Sequence, residues 1–351
     1  MRFYLNKEYF TDREFLIAEN ANMKATAFKY STGVEAIRVE NKKGYFIILP
    51  FKGQQIWRAH FCGKDLWMKT MMDEPQQTSI YLETYGGFLL HCGLDAIGTP
   101  ACYEDKHSQH GTIPNVCYQS AYIDVGEDYI AVGGRYDYDK TFVMNYAFSP
   151  ECRLYEDDSV LKIHVDIENK RNRPLEYAYL CHINFRPING STLVYSADYD
   201  PDHIKVIKGD GDSAEMKAFK DKLSENPELH HQVGAEGEIY DPEICFTVTY
   251  KGDENGRAYT VQANEEGACY VSHPVKELPV GVRWISRTGD EDSMGMILPA
   301  TSEAMGLTYS KRTGQMRTLG SYEKLSFDIE AGYLEKDAAN VVLDKIAKIK
   351  A

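Results

Sequence analysis

Two groups of side chains in this chain have the types and spacing for proton transfer or hydroxyl binding. His91, His107 and His110 fall within one stretch, HCGLDAIGTPACYEDKHSQHG, together with Asp95, Glu104 and Asp105. The stretch has weak periodicity, as expected of a functional loop between strands, although a solvated polar loop is the plainer reading. Imidazoles so placed can ligate a metal or hydrogen-bond hydroxyl groups, but one pair does not define a metal site. The second group is His182, Asn184 and Arg186 in AYLCHINFRPI. Residues two apart share one face of a strand, so these three form a polar stripe where a ligand groove could lie. The competing reading of His182 is a hydrogen-bonded core histidine. Arg58, in QQIWRAHF, can recognise an anionic substituent or simply stack on Trp57.

The common nucleotide, hydrolase and metalloprotease motifs (GxGxxG, the Walker loop, GxSxG, HExxH) are missing. Gly86-Gly87 and Gly133-Gly134 read as turns or bulges.

The elements that must carry these residues are strands. Leu161, Ile163, Val165 and Ile167 alternate with Lys162, His164, Asp166 and Glu168, which is a half-buried strand pattern. Similar runs recur at 44–49, 141–148, 177–183, 244–250, 259–263, 281–286 and 325–329, separated by turn signals such as Gly252-Asp253-Glu254-Asn255-Gly256. Many short strands predict an all-β chain, a large antiparallel β-sandwich forming a single domain over 1–351. Two segments have helical spacing instead. Met216, Phe219 and Leu223 predict a helical insertion at about 212–226, and Val341, Val342, Ile346 and Ile349 predict a C-terminal helix at about 336–350.

The net charge of −14 disfavours nucleic acid, whose binding needs a basic surface. No apolar run approaches the roughly 20 residues of a bilayer-spanning helix, so no membrane partner is expected. Eight scattered cysteines without a Cys-x-x-Cys pair predict reduced thiols and a cytoplasmic location. The pattern sets no oligomeric state.

Four fragments, in order, resemble the galactose mutarotase (aldose 1-epimerase) superfamily, over roughly residues 10–335. His110-Gly111 followed by Pro114-Asn115 resembles its HG motif. Cys181-His182-Ile183-Asn184-Phe185 resembles the segment whose histidine is the general acid. Tyr240-Asp241-Pro242-Glu243-Ile244-Cys245-Phe246 resembles the segment whose Asp binds sugar hydroxyls. Pro299-Ala300-Thr301-Ser302-Glu303 resembles the segment near the general base, in the L-P-A-T-x-E form of the DUF4432 group. The resemblance implies a supersandwich with a sugar groove on its concave sheet. One position departs from it: Leu298 aligns with the glutamate that serves typical mutarotases as base, and leucine cannot take a proton.

From that resemblance follows an expectation of a carbohydrate isomerase, an aldose 1-epimerase acting on a small-molecule carbohydrate without a cofactor. A base deprotonates the anomeric hydroxyl, an acid protonates the ring oxygen, and the opened aldehyde rotates before closure. His182 is expected as acid and Glu303 as base, with Asp241 and Glu243 as other carboxylates. Asn184, Arg186, Arg58, His107, His110 and Asp241 are expected to hold the sugar. Two rival classes are a non-catalytic sugar-binding protein on the same fold and a metal-dependent sugar isomerase using His91, His107 and His110. Fold alone does not choose among them.

Overall fold

The computed structural model describes residues 1–100, 104–209 and 211–351. Two large antiparallel sheets, of nine and thirteen strands, face one another. Alternation decides which side chains lie between them. In Val160–Asn169, Leu161, Ile163, Val165 and Ile167 enter the core, while Lys162, His164, Asp166 and Glu168 point outward. The same core includes Phe46, Tyr179, Phe185 and Phe246 from the thirteen-stranded sheet and Phe148 and Phe327 from the other. The predicted strands are present, with one shift: residues 141–143 form a turn, and the strand begins at Met144.

Both predicted helices form. Ala214–Glu225 starts at Ser213, whose hydroxyl accepts from the Met216 N–H, a side-chain N-cap. The helix follows the short strand Ile204–Val206 and precedes the strand Ile244–Thr249, which pair with each other. Lys336–Lys350 packs Ala339 and Ile346 against Tyr259, Val261 and Tyr270 on the outer face of the nine-stranded sheet. A further short helix, Leu307–Arg312, lies beyond the Asp292–Ala300 strand.

Gly133 and Gly134 correct the sequence reading. They lie inside the strand Tyr129–Lys140, Gly133 opposite Tyr122 and Gly134 opposite Ala121 in unbroken register, rather than at a turn or bulge. A Cβ on Gly133 would meet the Tyr122 ring at 2.5 Å, and one on Gly134 would meet Gln54 Nε2 at 2.5 Å. Close approach, not a reversal of the chain, requires glycine there. Seven cysteines are free thiols, and Cys102 lies outside the described residues. No helix among the described residues is long and apolar enough to cross a membrane.

Candidate functional site

The outer face of the thirteen-stranded sheet carries its own apolar patch, including Leu90, Cys92, Ala178, Leu180, Leu298 and Ala300. Strand Leu175–Ile183 pairs with Leu89–Leu94, setting His182 opposite Leu90 and Cys181 opposite His91. Since successive side chains alternate, His182 joins this outer patch while Tyr179 and Cys181 enter the core.

His182 is 4% exposed. Its Nδ1 lies 2.7 Å from Asn184 Oδ1. Asn184 Nδ2 donates to the Gly87 carbonyl at 3.0 Å, which orients the amide so that Oδ1 accepts. His182 therefore carries its proton on Nδ1, and Nε2 is the basic nitrogen. The Tyr85 hydroxyl donates to Asn184 Oδ1 at 3.1 Å and stands 3.4 Å from both ring nitrogens of His182. The rings of His110, Trp284 and Tyr85 surround the imidazole edge-on, with centroids at 5.3, 5.4 and 5.5 Å. Burial, reinforced by His110 nearby, holds His182 well below the ordinary histidine pKa, against the opposing hydrogen bond to Asn184. Burial likewise pushes the Tyr85 hydroxyl well above the usual phenol value. At neutral pH the pair is an uncharged base beside an uncharged acid.

Tyr85 is delivered by the segment 70–87, which includes the 3-10 turn Tyr81–Thr84. Tyr81 packs on both Tyr85 and His110, at 5.0 Å each. Arg58 anchors this segment. Its Nη1 donates to the Trp57 and Gly86 carbonyls at 2.9 and 3.1 Å, and its Nη2 to those of Met72 and Asp73 at 3.0 Å each. The guanidinium also stacks on Trp57 at 4.5 Å, and burial lowers its pKa to about 10. All four Nη protons are thereby committed to backbone, so Arg58 positions Tyr85. Arg186 donates from Nε to the Trp67 carbonyl at 3.2 Å and lies 5.5 Å from the Trp67 ring. Its Nη groups make no hydrogen bond among the described residues.

His110 reaches the site from a loop folded back on Leu89–Leu94. It adopts φ of 56°, its carbonyl accepts from Gly93 N, and its Nδ1 accepts from Gly98 N at 3.3 Å. Burial, then His107, lowers its pKa to about 4. The next residue, Gly111, has φ of +80°, and a Cβ there would meet Ala96 O at 2.3 Å and Gly93 O at 2.5 Å. Gly111→Ala is therefore expected to displace His110, seen as a shifted His110 imidazole signal by NMR with His91 signals unchanged.

The three-histidine cluster does not assemble. His91 points into the core, where Nδ1 is 2.7 Å from the Tyr179 hydroxyl and the ring contacts Phe148 of the opposite sheet. His110 stands on the other face of the same sheet, so one ion cannot reach both. His107 is buried against the start of the Leu307–Arg312 helix, with Nδ1 donating to Ser108 O and Nε2 accepting from Leu307 N. Asp105 accepts from the N–H and hydroxyl of Thr308 there. Among the described residues, the group with metal-ligand proximity is Asp198, Asp200 and His203, away from these.

The carboxylates separate as well. Glu303 lies beyond the Asp292–Ala300 strand. Its Oε2 accepts from the Tyr309 hydroxyl and from Gln315 Nε2, and it makes no contact with His182. The Leu180–Ala300 pairing continued along the strands places Leu298 beside His182, while Glu303 lies past the end of that strand. Glu243 is nearer. Its Oε2 accepts from the indole N–H of Trp284, the ring packed on both His182 and Tyr85. Asp241 is exposed two residues before it. Tyr85 and Trp284 were missed in the sequence because neither sits in a motif; only their aromatic bulk beside turn or strand signals marked them.

Two sheets of this topology with a histidine-bearing outer groove define a galactose mutarotase-like fold. The chain is similar to the crystal structure of a putative aldose 1-epimerase from Klebsiella pneumoniae subsp. pneumoniae, at 17% identity and TM-score 0.84, covering 100% of this chain and 96% of that one. It is also similar to a galactose mutarotase-like protein from Clostridium acetobutylicum (14% identity, TM-score 0.61, 90% and 100% covered) and to a putative mutarotase from Salmonella typhimurium (8%, 0.59, 92% and 97%). No protein of curated function matches. Residues 31–332 match the family described as domain of unknown function DUF4432, and the chain belongs to that family.

Proposed function

We propose that the protein is an aldose 1-epimerase, interconverting sugar anomers at His182 and Tyr85. The observation that carries this reading is the pairing of a neutral imidazole, with its free Nε2, and a neutral phenol 3.4 Å away. Nε2 takes the anomeric hydroxyl proton, the ring C–O bond breaks as the carbonyl forms, and Tyr85 gives its proton to the ring oxygen. Closure on either face of the aldehyde runs the same transfers backwards, so the two groups regenerate themselves without solvent. His182 thus starts as the base, reversing the acid role that the resemblance implies. Asn184 fixes the tautomer, Trp284 walls the groove, and Glu243 and Asp241 accept sugar hydroxyls. Arg186 adds a donor at the rim, while His110, held by His107's loop, completes the wall.

NMR exchange spectroscopy on a panel of aldoses tests the reading: the protein is expected to speed anomer interconversion, and no acceleration for any sugar would overturn it. The pH profile has a definite sign. Because the folded-state pKa of His182 lies well below 6.5, Nε2 stays available through neutral pH and is lost only on acidification. The rate is expected to be flat from pH 8 to 6.5 and to fall below that range. A rate that rises as pH drops through 6.5 would assign His182 the acid role instead. Dialysis against a chelator is expected to leave the rate unchanged, since His91 and His110 face opposite sides of the sheet.

A further inference from the structure

The inserted helix Ala214–Glu225 builds a cavity that extends away from His182 and shares Asp241 and Glu243 with the sugar site proposed there. About 420 Å³ in volume, it lies between that helix and the 241–245 segment, with Ser213, Met216, Lys220, Asp241, Glu243 and Cys245 among its walls. This volume falls in the range of small-ligand sites, roughly 300–1,000 Å³. The cavity adjoins the candidate site through two shared features. Glu243 lines it and also holds the Trp284 indole that packs on His182. Cys245 on its floor pairs directly with Trp284 across the sheet.

The charge inside it is selective. Lys220, 5% exposed, spends its ammonium on both Asp212 oxygens at 2.9 Å each. Asp241 makes no ion pair among the described residues, and neither does Glu243. Asp241 and the second oxygen of Glu243, whose Oε2 holds the Trp284 indole, are carboxylate acceptors that suit hydroxyl donors and repel anions. Cys245 and Ile207, both half-buried, supply an apolar surface for a C–H face, with Met216 packed in the core behind.

We propose that this cavity is a second glycosyl subsite, and that the substrate is a neutral reducing oligosaccharide rather than a free monosaccharide. The inference rests on the aldose 1-epimerase reading: the reducing ring sits at His182 and the next ring lies against the helix.

The test uses the full chain with glucose, galactose, maltose, cellobiose, lactose and a uronic-acid-containing disaccharide, reading binding by saturation-transfer NMR and turnover by anomer exchange. At least one neutral disaccharide is expected to bind about tenfold tighter than its reducing monosaccharide, and the acidic one more weakly than its neutral counterpart. Filling the cavity by Met216→Trp, or by Ile207→Trp at another lining residue, is expected to erase that gain and leave monosaccharide exchange unchanged. Because either variant alone could misfold, both are needed, each with its melting temperature. Equal affinity for mono- and disaccharides in the unmodified protein would overturn the subsite and leave the epimerase reading standing. Tight disaccharide binding without anomer exchange would overturn the epimerase reading and, with it, the claim that the disaccharide is a substrate. Binding of neither overturns both.

Discussion

Replacing His182 by alanine is expected to slow anomer exchange by about 10²–10⁴, the usual worth of one positioned acid–base group. The variant removes the one nitrogen that the Asn184 tautomer lock leaves basic. The fold is expected to survive: Asn184 Oδ1 keeps the Tyr85 hydroxyl as donor, and the other Asn184 bond to Gly87 is untouched. Exchange rates from two-dimensional NMR, alongside the melting temperature, separate a chemical loss from an unfolded chain. Tyr85→Phe is the matched control. It removes one hydroxyl and keeps the ring that packs on Tyr81 and Trp284, so a loss of similar size would place the second proton on Tyr85. A His182→Ala rate within twofold of the unmodified protein would remove the imidazole from the mechanism.

The second large effect is structural. In Arg58→Met, all four carbonyls lose the guanidinium; among the described residues those of Met72 and Gly86 are left without a donor, while Trp57 O keeps the Phe88 N–H and Asp73 O keeps the Trp57 indole N–H. Leaving a buried polar group unpaired costs about 1–3 kcal/mol. Because Arg58 is half-buried, water replaces part of that donor set, and the expected loss of stability is about 2–4 kcal/mol. Hydrogen exchange is expected to quicken across residues 70–87, and anomer exchange to fall because Tyr85 is no longer held. Arg58→Lys separates charge from geometry, since a lysine ammonium has three donors and no planar fork to reach four carbonyls. Full stability and full exchange in the lysine variant would show that charge alone suffices and that the four-carbonyl clamp does not position Tyr85.

The local features were legible. Period-two spacing put His182 and Asn184 on one face, and they meet at 2.7 Å. Helical spacing marked the insertion, which starts where expected, and the structure adds Ser213 as its cap. The errors share one cause. His91 and His110 are close in sequence, yet the strand aims His91 into the core while a folded-back loop brings His110 to the opposite face. Arg58 does stack on its neighbour Trp57, one of the two readings the sequence allowed, but most of the carbonyls it serves come from a segment whose path no local pattern describes. Glu303 was the carboxylate expected as base, with Asp241 and Glu243 as the others. Sheet register and the Trp284 bond set Glu243 near His182 and leave Glu303 with Tyr309.

By itself, then, the sequence determined the strand-rich class, the polar stripe around His182, both helices and the family to which the chain belongs. These follow from strand alternation, helical spacing and short motifs, all of which act within a few residues. The tertiary structure alone decided the partners of that stripe. Tyr85, just before the strand Leu89–Leu94, and Trp284, on the strand Val280–Arg287, are far apart in sequence, and they meet over His182 because those strands belong to one sheet. Residue types set which chemistry is available, and long-range register sets which groups stand close enough to perform it.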